Sequence, residues 1–582
     1  MDAAVKKPGT VETRMKRADA MARWSHLKNE RQSWFYHWAE ITQFITPRNG
    51  RYFLQDRNRG FRRHNNIFDN TGSRALGTLA AGMMAGMTSP ARPWFKMSTP
   101  DKTLNESKNV KVWMDHVTKV ILDIFQGGNT YRALHAIYKE LGAFGTASSV
   151  VMEDYQDVMR QYSLTAGEYC IAQDWRGTVC TLYREFEKTV GEIVKEFGIA
   201  NCSNTVKNMY DRGQLDKWIK IIHAIEPRSD RDPSRKDSLN MAWASAYFES
   251  GAEDHDRPLR EGGFDYFPAL CPRWDLAGGD IYGNSPGMEA LGDIKQLQQE
   301  QLRKSQGIDY MTKPPLQMPT AMKNREVDGL PGGISYVDSM QAPTTRNLFN
   351  VQLDLNHLLA DLQDVRERIN SSFYADLFMM LSNQVDVRMT ATEVAERHEE
   401  KLLMLGPVLE RLNDEMLSPL VNMTFERALR AGMFMPPPPE LQGQPLNLEF
   451  VSMLAQAQRA VGTNSIDKFV MSLGMIAQTV PSVLDKFDSD KWADVYSDLL
   501  GVDPSLILSS DQVAIVRKQR AAQQAAMQKA ALQNQQADTA QKLAQVPTQG
   551  GASNAANDVI NQFSGYTSPS PEQVAANAAP GQ

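Results

Sequence analysis

The residues of this chain best equipped for chemistry are arginines. Arg48, Arg51, Arg57, Arg59, Arg62 and Arg63, with His64, lie between positions 48 and 64 and are interleaved with Tyr52, Phe53 and Phe61. Guanidinium forks hold phosphate oxygens and aromatic faces take bases. The segment therefore reads as a nucleic-acid contact in which Arg57, Arg59, Arg62 and Arg63 hold phosphate. The same composition suits an extended surface arm whose arginines pair with acidic residues on a neighbour. Spacing alone leaves both readings open.

Catalytic chemistry finds no frame. There is no glycine loop ending in Gly-Lys-Ser/Thr, no His-Glu-x-x-His and no calcium loop. The 9 histidines lack ligand spacing, and the acidic residues form no recognisable catalytic pair. Cys170, Cys180, Cys202 and Cys271 are too few and too scattered for a disulfide framework or a thiolate metal site, so free thiols are expected. Gly142-Ala143-Phe144-Gly145 and Gly262-Gly263 read as turns, and His398 in Arg397-His398-Glu399-Glu400 as a surface or interface side chain on a helix. No catalytic residue, no metal ligand and no cofactor is expected; the chain reads as a protein that is not an enzyme.

The elements that must carry these residues are mostly helices. Ser285 can cap a helix whose first turn holds Pro286, and Met288, Leu291, Ile294 and Leu297 recur every three residues. Proline and glycine interrupt the pattern from Gly307 to about Asn347. A second helix then carries a seam at Val351, Leu355, Leu358, Leu362, Val365, Ile369, Phe373 and Leu377. With no proline or glycine from Leu348 to Gln384, it would rise about 50 Å. After the polar stretch Ser382 to Arg388, Thr390 and Glu393 have capping-box spacing. A third helix continues through Val394, Leu402, Leu405, Leu409, Leu412 and Met416, with a kink at Pro407.

Length and composition agree with a large soluble globular chain: 582 residues, 42% hydrophobic, 23% charged, net charge −6. That charge gives little overall attraction to nucleic acid or anionic membrane. Met1 to Arg23 lacks the apolar core of a signal peptide, and no apolar run reaches the length of a transmembrane helix. In order, the spacing predicts a helix over 13–45 bearing Trp24, Trp34 and Trp38, and a glycine-rich helix over Asp69 to Met87 suited to close backbone approach. Helices follow at Val110 to Phe125 and Tyr131 to Leu141. An α+β region runs from Gly142 to about Leu276, with strands at Ser148 to Glu153, Lys217 to Glu226, Asn240 to Glu249 and Phe264 to Cys271, and a helix at Thr189 to Phe197. A hairpin over Glu168 to Phe186, closed by a two-residue turn at Trp175-Arg176, would set Cys170 opposite Thr181 and Cys180 opposite Ile171. Past the stiff Pro436 to Pro439 link, residues 448–500 resume helical periodicity. Arg517 to Gln545 has an Ala/Gln helix composition, and 546–582 reads as disordered. The fold class is α+β, mainly helical.

Three stretches add a family resemblance: Phe68-Asp69-Asn70 through Trp94-Phe95, Tyr282-Gly283-Asn284-Ser285-Pro286-Gly287 through Asp293-Ile294-Lys295, and Met389-Thr390-Ala391-Thr392-Glu393-Val394 through Leu405-Gly406-Pro407. Met453 to Arg459 and Leu500-Gly501-Val502 extend them. In these stretches, and in the helix order around them, the chain resembles the portal, or head-to-tail connector, proteins of short-tailed, T7-like bacteriophages over most of residues 15–520. The resemblance implies a ring, usually of twelve copies, at one capsid vertex of the virion. Double-stranded DNA would pass through it during packaging and ejection, and no membrane would be involved. Terminase, scaffolding protein, major capsid protein and a tail adaptor are the implied partners, with assembly in the host cytoplasm.

It further implies a phage portal fold. Residues 1–284 would form an N-terminal arm and α+β wing, 285–307 the first stem helix, 308–345 a clip bearing Lys313, Lys323 and Arg325, and 346–381 the second stem helix. A tunnel loop at 382–389 would present Asn383, Gln384, Val385, Asp386, Val387 and Arg388. Wing helices would span 390–435, a crown 436–510 and an Ala/Gln helix, suited to lengthen the crown as a barrel, 511–545. Lys295, Arg303 and Lys304 would face the channel, and Val351, Leu355, Leu362 and Ile369 would pack the stem within and between subunits. The alternatives are a nucleic-acid binding module using residues 48–64 and, behind it, a virion-associated enzyme.

Overall fold

The apolar residues between 13 and 45 form two helices, α1 at Arg17–Glu30 and α2 at Gln32–Phe44, where their spacing predicts one. The two bury their aromatic faces in different places. Trp24 stacks on Tyr183 in one apolar cluster, while Trp38 packs edge-on to Phe144 and Tyr282 in the main core. The break falls at Arg31, whose buried guanidinium donates to the carbonyls of Gly167 and Tyr169. A charge is tolerated at such depth only with partners of this kind.

The computed structural model describes residues 15–52, 65–312, 316–317, 346–347, 355–382, 405–451, 469–476, 487–500 and 510–544, apart from short gaps within 102–106, 233–236, 253–255 and 442–444. By internal contacts the chain divides into two units, Met1–Pro481 and Ser482–Gln582.

In the first unit, α3 (Thr71–Met87) buries Leu76, Leu79, Ala80 and Met83 against α5 (Thr130–Phe144) and other core elements, and α4 (Lys108–Gly127) packs on β1 (Phe95–Ser98). Helix α5 ends at Gly145, whose φ of +71° requires glycine; a Cβ there would sit 2.1 Å from the Gly283 carbonyl oxygen. Gly142 to Phe144 are therefore the last helical turn and not a loop.

Strands β2 (Ser148–Asp154), β3 (Val158–Leu164) and β9 (Ala269–Leu270) form a three-stranded sheet in the order β3-β2-β9. A five-stranded antiparallel meander runs β4 (Tyr169–Gln173), β5 (Val179–Thr189), β6 (Trp218–Pro227), β7 (Trp243–Glu249) and β8 (Arg260–Phe264). Gly262 and Gly263 lie in β8, not in a turn, and the single strand expected over Phe264 to Cys271 is replaced by the end of β8 and by β9. Between β5 and β6, α6 (Val190–Phe197) starts with a full capping box, Thr189 with Glu192, and α7 (Asn204–Asp211) follows.

The β4–β5 register also departs from expectation. The Asp174 amide donates to the Thr178 carbonyl, the Asp174 carboxylate accepts from the Arg176 and Thr178 amides, and Gly177 adopts φ +80°. That is a three-residue loop closed by a left-handed glycine. With an irregularity at Cys180, it sets Cys170 opposite Tyr183 and Ile171 opposite Leu182. All four cysteines carry free thiols.

Residues Asn447–Phe450, expected to open a helical stretch, form β12, antiparallel to β1 with Phe95 opposite Phe450. The alternation of Leu448 and Phe450 decides this: the Phe450 ring stacks on Trp94 at 6.4 Å. Just before the proline run, the Met435 carbonyl accepts from the Trp113 indole at 2.9 Å.

The second unit contains α14 (Ser489–Leu500) and α15 (Ser510–Ala544). The Arg517 guanidinium forks onto Asp490 with two contacts of 2.6 Å. Helix α15, at 35 residues, starts upstream of the Ala/Gln run and is about 52 Å long.

Two predictions follow from this packing. A Cβ on Gly82 would fall 2.1 Å from the Phe378 ring, whereas one on Gly77 meets nothing within 4 Å. Gly82→Ala is expected to destabilise by about 1–3 kcal/mol through overpacking, and Gly77→Ala to stabilise by up to about 1 kcal/mol through helix propensity. Thermal midpoints that move together would contradict this packing.

Burial raises the Glu140 carboxyl from its ordinary 4.5 to about 7, against the bonds it accepts from Thr165, Asn49 and the Ala166 amide. A folded value above the unfolded one means that this group's contribution to stability is complete below about pH 4.5 and is lost as pH rises through 7. Glu140→Gln should flatten the dependence of melting temperature on pH between 5 and 7. Parallel wild-type and variant profiles would rule that out.

Candidate functional site: an antiparallel helix pair and its anchors

Ser285 caps the short helix α8 (Pro286–Glu289) by accepting from the Met288 amide at 3.0 Å, with Pro286 in the first turn as expected. After Ala290 the chain continues as α9 (Leu291–Thr312), five residues past the expected end at 307. Beyond it, β10 (Leu316–Gln317) pairs antiparallel with β11 (Arg346–Asn347), and α10 (Leu355–Ser372) follows. Asp293 meets Arg368 at 3.5 Å and Leu316 pairs with Asn347, so the two helices run in opposite directions. β10 and β11 therefore lie side by side beyond the ends of the two helices.

The expected seam is present, but it faces inward. Leu362, Val365 and Ile369 are each 0% exposed within a single chain, where they join the core around α3. Leu362 and Ile369 therefore hold the subunit together and are not available to a neighbour. Leu355 is the first residue of α10, and Val351 lies outside the described residues.

The second helix is not continuous either. Tyr374 adopts φ +53°, a left-handed conformation that costs a non-glycine residue about 1–2 kcal/mol. The turn lets Phe373 stay buried while α11 (Ala375–Ser382) brings Phe378 onto Gly82. Apolar packing on both sides of the break offsets the local strain.

Asp69 anchors the pair to the body. Its Oδ1 accepts from the Thr71 amide at 2.9 Å and the Thr71 hydroxyl at 2.5 Å. Its Oδ2 accepts from Arg366 Nη2 at 2.7 Å and from Gln301 Nε2 at 3.1 Å. Desolvation pushes this carboxyl up, but the Thr71 and Arg366 bonds outweigh it and hold the group below the ordinary aspartate range. Buried Gln298 accepts from the Phe68 and Asp69 amides and donates to the Asp69 carbonyl, so both helices grip one turn. In the sequence Asp69 marks a helix start and belongs to the Phe68-Asp69-Asn70 stretch, with no anchoring role assigned to it. Its signal, a glutamine at an apolar position of α9, was present but not read.

A second anchor lies at Arg273, 2% exposed. Nη2 meets Glu415 Oε1 at 2.6 Å and Nε meets the same oxygen at 3.1 Å. The remaining donors reach Gln173 Oε1, the Gly177 carbonyl and the Ile281 carbonyl. Glu415 sits in a π-helical turn, Asn413–Leu417, between α12 (Gly406–Leu412) and α13 (Ser418–Arg430). Pro419 has no N–H for the helical ladder, which accounts for the wider turn. Pro407 lies in the first turn of α12 and breaks nothing among the described residues.

Of the expected channel-facing cations, Lys295 is paired with Glu40 and lies over the Phe44 ring at 5.8 Å. Arg303 is exposed and Lys304 half-exposed. Arg51 of the basic segment bridges Glu168 at 3.6 Å and Glu187 at 3.2 Å. Arg57, Arg59, Arg62 and Arg63, the clip residues Lys313, Lys323 and Arg325, and Asn383 to Arg388 lie outside the described residues. No helix among the described residues is long and apolar enough to cross a membrane, and none of their His, Cys, Asp and Glu side chains cluster as metal ligands.

The surface left by this packing is apolar in places: Ile308, Tyr310 and Met311 on α9 and Leu359 on α10 are 39–50% exposed. Leu362→Asp buries a charge without a partner and is expected to cost at least about 3 kcal/mol, unfolding the subunit itself. Leu359→Asp should leave the melting temperature within a degree or two. Equal midpoints for the two variants would refute the inward seam.

Residues 17–508 match the family described as bacteriophage head to tail connecting protein. The chain is 61% identical over 549 residues to the probable portal protein of Bordetella phage BPP-1, covering 94% of this chain and 98% of that one. It is 44% identical over 526 residues to the portal protein of Salmonella phage epsilon15, covering 90% and 94%. Among solved structures, a chain in the virion of a native gene transfer agent particle aligns with TM-score 0.34 at 10% identity, over 69% of this chain and 86% of that one. A chain in the neck of an empty gene transfer agent particle aligns with TM-score 0.34 at 10% identity, over 75% and 90%.

Proposed function

The chain belongs to the bacteriophage head-to-tail connecting proteins, and we propose how its parts serve that role. It is a structural portal protein, forming the channel for DNA packaging at a capsid vertex. In our reading twelve copies close into the ring, α9 and α10 form its stem, and residues 313–345, the expected clip less the last turn of α9, form a clip that meets the packaging terminase and later the tail adaptor. Residues 382–389 form the tunnel loop, and α15 lengthens the crown. Scaffolding protein and the major capsid protein seat the ring at its vertex. We assign the chain no catalytic role.

The observation that carries this reading is the antiparallel helix pair, tied at its far end by β10 and β11. Such a pair delivers a long segment to one end of the subunit and returns it. Ile308, Tyr310, Met311 and Leu359 give the pair exposed apolar surface for lateral contact. The bore is net acidic or mixed: Lys295 is already paired with Glu40, and twelve copies at −6 carry −72. A channel for passage needs weak, sequence-blind contacts, because every tight phosphate contact would retard the duplex.

Purified full-length protein should therefore scatter light as a ring near twelve times 65.3 kDa, about 784 kDa, with a central channel in electron-microscope top views. It should also bind duplex DNA more weakly than micromolar at physiological salt. A compact dimer, or nanomolar duplex binding by the ring, would overturn the assignment of the bore.

A further inference from the structure

A cleft of about 800 Å3 lies between α12–α13 and the β4–β5 hairpin. Its floor is aromatic, formed by Trp243, Tyr266 and Phe267. Its rim is acidic: Glu410, Asp414 and Glu426 are exposed along one face of the helix, and Asp174 lies across from them. Two cations, Arg176 and Arg411, also line the cleft, and each is engaged elsewhere, as is Arg430 beside it. Arg411 faces Asp275 at 3.9 Å, Arg430 contacts Asp265 at 2.9 Å as well as Glu426, and Arg176 stacks over Trp175 at 4.7 Å.

We propose that this cleft is the docking site for residues 53–64 of a second copy of the chain, a proposal that rests on the ring reading. The chemistry is complementary in both respects. The segment carries Arg57, Arg59, Arg62 and Arg63 against a lone Asp56, and Phe53 and Phe61 suit the aromatic floor. The lengths agree. From Glu410 to Glu426 the helix runs about 24 Å at 1.5 Å per residue, and Arg57 to Arg63, extended, covers about 20 Å. Arg51, two residues before the segment, is held by Glu168 and Glu187. That is the end of β4 opposite to the Asp174–Gly177 loop at the cleft. In a ring each subunit meets the next through two different surfaces, so a basic segment on one side and an acidic cleft on the other form one repeating joint.

A native thiol makes the test direct. Cys180 lines the cleft and is half-buried, whereas Cys170, Cys202 and Cys271 are buried. Full-length protein carrying Arg59→Cys, oxidised with diamide, is expected to give a ladder of disulfide-linked multimers on a non-reducing gel, abolished by adding Cys180→Ser. A Cys180-dependent link confined to monomers, or none at all, would overturn the docking. Independently, Glu410→Lys with Asp414→Lys and Glu426→Lys should lower the ring fraction at least tenfold with an unchanged circular-dichroism spectrum. Adding Arg57→Glu, Arg59→Glu and Arg62→Glu should restore it. Wild-type ring yield from the acidic-site variant alone would sink the proposal and leave the portal reading standing. The intermolecular ladder from a chain that forms no ring would do the reverse.

Discussion

The buried guanidinium of Arg273 is the constraint on which the rest of the first unit depends. All five of its donors find acceptors, and these belong to the β4–β5 hairpin, the segment leading to the helix pair, and the π turn beside α12. A charge held this deep is stable only when every partner is in place. The three parts therefore cannot shift independently without stranding it. The π turn belongs to this arrangement, because it occurs where Pro419 interrupts the ladder and it carries Glu415.

The Asp69 anchor does for the helix pair what Arg273 does for the wall behind it. One carboxylate binds Thr71, the first residue of α3, with one oxygen and holds α9 and α10 with the other. Since α3 also receives Phe378 at Gly82, a single glycine-bearing helix fixes both α10 and the segment beyond the Tyr374 break. The pair is thus mounted on α3 at its base, with β10 and β11 paired at its far end.

Much of this was legible where local chemistry dominates. The Ser285 cap, the helix from Thr189 to Phe197 and the apolar periodicity of Leu362, Val365 and Ile369 all follow from residue types at fixed spacing. What sequence hid were choices settled by distant partners. The break at Arg31 reflects two cores competing for Trp24 and Trp38, and β12 exists because Trp94 stacks on Phe450. The hairpin register turned on Gly177 and the irregularity near Cys180, where one residue moves every pairing. Of the candidate site, Lys295 lies on the expected helix and was read as channel-facing, because nothing near it in sequence announces Glu40. The seam was expected to pack both within and between subunits, and only the first half holds for Leu362 and Ile369, because an apolar stripe does not say whether its partner is in the same chain.

The pairing of β1 with β12 has a kinetic side. The Ser98 hydroxyl reaches the carbonyl of Asn447, 349 positions later. At ribosomal speeds of roughly 5–20 residues per second, β1 waits about 20–70 s for its partner to be synthesised. During that interval Phe95 and Trp94, fully covered in the finished subunit, lack the strand that closes over them. An edge left open in this way can template pairing with another nascent chain. Crowded polysomes are thus the place where this protein is most exposed to misassembly, and closure of the body is one of the last events of its birth.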